Sequence, residues 1–239
     1  RQLSNEKIKE HDLKTIWRAG FIPGLAVILI FLQPDFGTTA TIAFIVFVQF
    51  LFSKTKLIYP ALLSIGGWFI GRYFLESEFY RAERLRVWSE GICNQGQELL
   101  GACFQVHQSR IAISSGGMFG LGPGTSRARW GSLPSAYSDF ISSIIGEEYG
   151  FIGYLIFIFI LSICIITFFL IAVREKNEFK KIFISGLGAW ILFQSVLNLG
   201  ASVYLLPITG IVLPFVSYGG TAMVSIFVAL GIMHCRVDE

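Results

Sequence analysis

The chain has 239 residues, of which 54% are hydrophobic and only 15% charged, against about 25% charged in soluble domains. Its mean hydropathy is +0.64, and Phe alone supplies 23 residues, side chains suited to lipid contact. A net charge of +3 is far too small to argue for a nucleic-acid partner. The four Cys are too few and too scattered for a disulfide scaffold or a structural zinc site.

The chain opens on Arg1 rather than Met, and the expectation is a natural N-terminus farther upstream. A membrane helix needs roughly 20 mostly apolar residues. Stretches 19–35, 38–53, 57–75, 150–173, 182–200 and 217–235 come near that length. The first two flank Gln33-Pro34-Asp35, which cannot sit in lipid with its backbone unpaired and is read as a tight turn at one membrane face. The predicted fold class is therefore all-α: a polytopic membrane protein with about six spans and a large outer loop.

Positive charge sets the orientation. The segments between spans alternate sides, and all eight lysines, Lys7, Lys9, Lys14, Lys54, Lys56, Lys176, Lys180 and Lys181, fall on one of them with Arg1, Arg18, Arg174 and Arg236. That side is predicted to be cytoplasmic. The opposite side owns a loop of about 75 residues from Glu76 to Gly150, too long for a simple connector. Three regions follow: 1–75, a cytoplasmic lead-in and three membrane helices; 76–149, the extracytoplasmic loop; and 150–239, three more membrane helices with a proline-broken outer segment.

Basic residues in the loop are all arginines: Arg81, Arg84, Arg86, Arg110, Arg127 and Arg129. They are either a solvated surface or a site for an anionic lipid head group, since the guanidinium fork suits phosphate better than an ammonium does. Phe79, Ala82, Leu85 and Trp88 recur every third residue and predict a short helix lying at the membrane surface. Residues 104–113 read as a second helix. Residues 114–124 hold five glycines and a proline, which forbids regular structure. This segment is either a flexible turn or a backbone nest for phosphate oxygens.

Farther along, Pro134 and Ser135, or alternatively Ser138, are helix-start signals that put Asp139 in a first helical turn. The helix dipole there favours a carboxylate, which can accept a proton from a substrate hydroxyl or act only as a cap. Glu147 and Glu148 sit where the next span begins and point to different helix faces, one toward protein and one toward the interface. Asp35 lies at the same membrane face in the Pro34 turn. Leu206-Pro207-Ile208-Thr209-Gly210 and Leu213 through Gly220 form an apolar segment broken by prolines, which must be buried in protein or line a cavity. Cys93 and Cys103 could pair if their compartment is oxidising; Cys164 and Cys235 read as small apolar helix residues. His107 reads as a packing or hydrogen-bonding residue, and no metal site is predicted.

At these residues the chain resembles a known family. Gln33-Pro34-Asp35-Phe36-Gly37-Thr38 resembles the QPDLGT signature of the SEDS family (shape, elongation, division, sporulation). Gln108 to Ile113 followed by Ser115-Gly116-Gly117 resembles its QS-x-IAI-x-SGG stretch. Leu133-Pro134 through Asp139-Phe140-Ile141, then Gly146-Glu147-Glu148-Tyr149-Gly150, resembles LPE-x-HTDFIF…GEE-x-G. Leu206 to Gly220 resembles LP-x-TG-x-x-LPF-x-SYGGSS. The run Gly122 to Ser126 is closer to the cell-division member than to the elongation member. Two departures are plain: Tyr137-Ser138 stands for His-Thr, and Ser135 for the Glu after LP.

The resemblance implies about ten membrane helices, roughly four of them upstream of this chain. It implies location in the cytoplasmic (inner) membrane and polymerisation of lipid II at the outer face during septal cell-wall synthesis. The 4-hydroxyl of one disaccharide attacks the anomeric carbon of another, and undecaprenyl pyrophosphate leaves. The family's essential acid maps onto Asp139. Candidate substrate contacts are Arg110, Arg81, Arg84, Arg127, Arg129, Gln108, Ser109 and Gly117, and candidate motif residues of structural role are Pro34, Asp35, Glu147, Glu148, Pro214, Ser217, Gly219 and Gly220. No cofactor is called for, with a divalent cation (Mg or Mn) left open. Implied partners are lipid II, a class B penicillin-binding protein (a transpeptidase), other division proteins and membrane lipid, with no nucleic acid. The competing readings are a lipid II flippase or other transporter, which would be expected to carry polar or ionisable groups near the bilayer midplane, and a division scaffold, which would not need Asp139. The predicted spans hold few such groups: Gln49 and Gln194, with Arg72 near an outer end.

Overall fold

The computed structural model describes residues 21, 24–30, 33, 35–53, 55, 58, 88, 93 and 102–234. Among them every regular element is helical. The helices are α1 (Phe36–Phe52), α2 (Ala102–Ser115), α3 (Ile141–Arg174), α4 (Glu178–Ser202) and α5 (Gly220–His234), with a 3-10 turn at Ala128–Trp130. Residues 24–30 are also helical. The expected spans at 150–173, 182–200 and 217–235 coincide with most of α3, α4 and α5, and the expected helix at 104–113 is α2. Most of the 57–75 stretch and of the 77–90 stripe, and Pro34, Arg81, Arg84, Arg86 and Cys235, lie outside the described residues.

By length and composition, α3 and α4 can each cross a membrane. They differ in surroundings. In its most apolar window α3 is only 22% buried, whereas α4 is 56% buried. Exposed Ile156, Phe159, Ile160, Ile163 and Ile166 run along α3, an apolar face that suits lipid rather than water.

The chain divides into two compact units: residues 1–72, 164–193 and 225–239, and residues 73–163 and 194–224. In the first, Asp35 caps α1. Its carboxylate accepts from the Thr38 N–H at 3.0 Å and the Thr38 hydroxyl at 2.6 Å, satisfying a donor the helix start leaves orphaned. The QPD turn thus has a structural use for its acid. Phe44 stacks on Phe193 at 4.7 Å, and Gly186 leaves room for the Gln49 side chain.

The second unit packs Ala112, Ala128, Leu133, Ala136, Phe140 and Ile144 into one core. Ser109 is fully buried; its hydroxyl lies 2.6 Å from that of Ser143 and donates to the Ser202 carbonyl at 2.6 Å, tying α2 to α3 and α4.

Candidate active site

Gly150 breaks α3. Its φ of 68° and ψ of −170° lie in a region open essentially to glycine alone. Backbone groups that a straight helix would pair with each other instead meet the glycine-rich loop. The Leu121 and Gly122 amides donate to the Glu147 and Glu148 carbonyls, both at 3.0 Å, and the Phe151 and Ile152 amides donate to the Gly117 and Met118 carbonyls at 2.8 and 3.2 Å. The two backbones approach so closely that a Cβ on Gly120 would strike the Glu148 carbonyl, and one on Gly150 would strike the Gly120 amide. The loop is spliced into the helix.

Within residues 114–124 the amides of Gly117, Gly120, Leu121 and Gly122 donate to protein carbonyls, so these four are already used within the fold. Gly116 and Gly120 serve close backbone approach.

Glu147 and Glu148 are both buried, 2% and 9% exposed, so neither points to the interface. They occupy the last turn before the break rather than the start of a span. The Glu147 carboxylate accepts from the Ser126 hydroxyl at 2.6 Å, the Arg127 amide at 3.1 Å, the Ala128 amide at 3.2 Å and the Ser115 hydroxyl at 3.4 Å. Burying a carboxylate is tolerated when its lone pairs are filled in this way. Glu147 therefore fastens the arginine-bearing segment to α3.

Asp139 differs in every respect. It precedes α3 instead of lying in a first helical turn, because α3 starts at Ile141. Ser135, at φ 55°, neither caps nor starts the helix; its carbonyl accepts from the amides of Ser138, Asp139 and Phe140, closing a separate turn. Three successive carbonyls of that turn are held from outside. Tyr137 O accepts from the Tyr218 amide at 2.9 Å, Ser138 O from the Ser217 hydroxyl, and Asp139 O from Asn198 Nδ2 at 2.8 Å. Meanwhile no hydrogen bond reaches the half-buried Asp139 carboxylate among the described residues. Its Oδ2 would lie 3.8 Å from a Cβ on Gly210, which has φ 71°. The backbone is fixed and the acid is left open.

The holding residues come from the proline-broken segment. Pro214 is fully buried, and Ser217 is buried with its hydroxyl also accepting from the Leu213 amide at 2.7 Å. Phe215 holds φ 66°, a costly conformation for a bulky residue. Gly219 and Gly220 lead into α5.

Arg129 is exposed and donates from Nε to the Tyr137 hydroxyl at 3.1 Å. Its guanidinium lies 5.6 Å from the Tyr137 ring centre and 5.8 Å from that of Trp130, within cation–π range. The Tyr137 hydrogen bond, then its charge interaction with Tyr137, raises the guanidinium above its already high value. Cys93 and Cys103 form a disulfide that ties the start of α2 to residue 93. No three His, Cys, Asp or Glu side chains converge as a cation cage among the described residues.

The family model described as "Cell cycle protein", which covers FtsW, RodA and SpoVE, matches residues 2–238. The chain belongs to the FtsW/RodA/SpoVE family. It is 37% identical over 215 residues to the probable peptidoglycan glycosyltransferase FtsW of Bacillus subtilis (strain 168), covering 86% of this chain and 52% of that protein. It is 31% identical over 227 residues to stage V sporulation protein E of the same organism, covering 92% of this chain and 60% of that one. A chain of the solved structure described as "Structural coordination of polymerization and crosslinking by a peptidoglycan synthase complex" shares the fold, with a TM-score of 0.68, 21% identity, and 97% of this chain and 64% of that chain covered. This FtsW/RodA/SpoVE chain thus spans between half and two thirds of the length of these proteins. It is a membrane protein built from apolar helices.

Within this family member, the structure brings Asp139, Ser217 and Gly210 together, and puts Arg129 on Tyr137 two residues before the acid. Arg110 and Arg127 are exposed and Gln108 is half-buried. Ser109 and Glu147 are committed to internal bonds, and Gly117 faces open space beyond its amide and carbonyl contacts. Asn198 was not singled out in the sequence; a lone Asn in an apolar helix gave the only signal. Tyr137 was noted as a departure but not as the seat of Arg129.

Proposed function

We propose that this chain carries the outer-face site of a lipid-linked glycosyltransferase that polymerises lipid II into glycan strands during septal wall synthesis, with Asp139 as general base. One observation carries the reading: a carboxylate whose backbone is held at three successive carbonyls and whose oxygens take no hydrogen bond among the described residues. A sugar hydroxyl is a poor nucleophile, and removing its proton as the bond forms is worth about 10²–10⁴-fold. Asp139 takes that proton from the 4-hydroxyl, whose oxygen bonds to the anomeric carbon of the donor as undecaprenyl pyrophosphate departs. Arg110, Arg127 and Arg129, with Arg81 and Arg84, stabilise the pyrophosphate, because fixed cations aimed at developing charge lower the barrier. The names of the relatives support this assignment, as does a disulfide in the same unit, which suits an oxidising compartment outside the cytoplasm. The lysine-bearing ends of α3 and α4 at Arg174–Lys181 then face inward. A single-span transpeptidase of the class B penicillin-binding type is the partner that crosslinks the emerging strand.

The test is polymerisation of purified lipid II by the complete protein, with and without that transpeptidase. Glycan strands that vanish in Asp139→Asn support the reading. Failure of the wild type to polymerise under both conditions overturns it. Thiol labelling of intact cells checks orientation: a cysteine placed at the exposed position 132 should react from outside and one at 178 should not.

A further inference from the structure

The Asp139 turn is held by an amide that lies nearly 60 residues away in the chain. Asn198 sits in α4, 2% exposed. Its Nδ2 donates to the Asp139 carbonyl and to the Ile211 carbonyl, both at 2.8 Å, so both of its N–H groups are used. Its Oδ1 is buried with no hydrogen-bond partner among the described residues. A buried acceptor left unsatisfied is destabilising. A bridge between two carbonyls is therefore kept in place at the expense of a lone acceptor beside it.

The two bridged carbonyls belong to the two strips of chain that flank the acid. One is Asp139 itself. The other, Ile211, follows Gly210, on which a Cβ would lie 3.8 Å from Asp139 Oδ2. A single amide thereby ties the Asp139 backbone to the strip of chain that passes beside its carboxylate. The Ser217 and Tyr218 bonds act one and two residues upstream and constrain the acid only through the chain.

We infer that Asn198 is a positioning residue for Asp139: its amide sets the direction of the carboxylate toward the acceptor hydroxyl without touching substrate. This rests on the glycosyl-transfer reading above. Positioning acts on the reacting geometry, where a misplacement of about 1 Å can lose about 10²-fold in rate. Substrate affinity, supplied by the arginines and the lipid chain, is untouched.

The experiment compares wild type, Asn198→Ala and Asn198→Gln in the complete purified protein with lipid II, measuring kcat and KM separately and thermal stability alongside. Asn198→Ala should lose about 10²-fold in kcat with KM within about twofold. Asn198→Gln, which keeps the amide donors on a longer arm, should recover part of the kcat. If Asn198→Ala does not fold, the Gln variant carries the test alone through a kcat loss at unchanged KM. A folded Asn198→Ala with wild-type kcat, a loss that appears in KM instead, or a Gln variant no better than Ala overturns the role of the amide while leaving Asp139 as base. A wild type without polymerase activity overturns the glycosyl-transfer reading on which the role depends.

Discussion

Two acids of the same unit, eight residues apart in sequence, are treated in opposite ways. Glu147 offers its carboxylate to four donors and keeps nothing for an outside ligand. Asp139 gives up its backbone carbonyl to Asn198, and among the described residues its carboxylate takes no hydrogen bond. The first arrangement lowers the energy of the fold. The second fixes a backbone and leaves a side chain available, as the proposed role of general base requires. An acid's role is read from which of its oxygens the protein has already used.

Substitutions at the two sites should therefore separate cleanly into chemistry and stability. Asp139→Asn should lose about 10²–10⁴-fold in lipid II polymerisation with no change in melting temperature, measured by product gels and thermal unfolding. Glu147→Ala should do the reverse in kind. It strands four donors around a void and should destabilise by about 3 kcal/mol, seen as a lower unfolding temperature and faster amide exchange at residues 117–128. If it retains its melting temperature, the clamp is ornamental and the contrast breaks.

The disulfide belongs with Glu147. Cys103→Ser should reduce stability by about 2–3 kcal/mol, and a reductant should affect the wild type likewise, while kcat of the surviving folded protein stays unchanged. A selective kcat loss would move the disulfide to the other side of the comparison. The smallest effect is expected at the exposed Arg129. Arg129→Lys keeps the charge and loses the planar face over Tyr137 and Trp130; turnover should fall by no more than about fivefold, and more at high salt. An effect as large as that of Asp139→Asn would mean that the guanidinium, not the carboxylate, dominates the barrier.

Much of this was legible beforehand. The apolar stretches at 150–173, 182–200 and 217–235 gave the C-terminal helices because lipid-suited composition leaves little ambiguity. Motif context singles out Asp139, while the structure puts it before the start of α3 rather than in a first helical turn. Ser135 adopts a positive φ that no periodicity announces, and it opens a turn where a helix start was expected. The break at Gly150 was hidden because its partner lies about 30 residues upstream, and a glycine in an apolar run looks the same in a straight helix as in a broken one. The two carboxylates at 147 and 148 were expected to face different surroundings. A helix that stops immediately after them, with a loop packed over its end, buries both.

The break also bears on how the chain enters its membrane. Residues 151–174 form an apolar cylinder of about 36 Å, enough to cross hydrocarbon about 30 Å thick with some tilt. The half-helix before Gly150 carries Glu147 and Glu148, and an acid at mid-membrane is costly to partition into lipid. A continuous helix would let those carboxylates slide inward with any shift of the cylinder along the membrane normal. The splice joins the loop to the helix at Gly150, so the apolar run that hydrocarbon can take up starts at Phe151, and the two carboxylates stay on the loop side of the break.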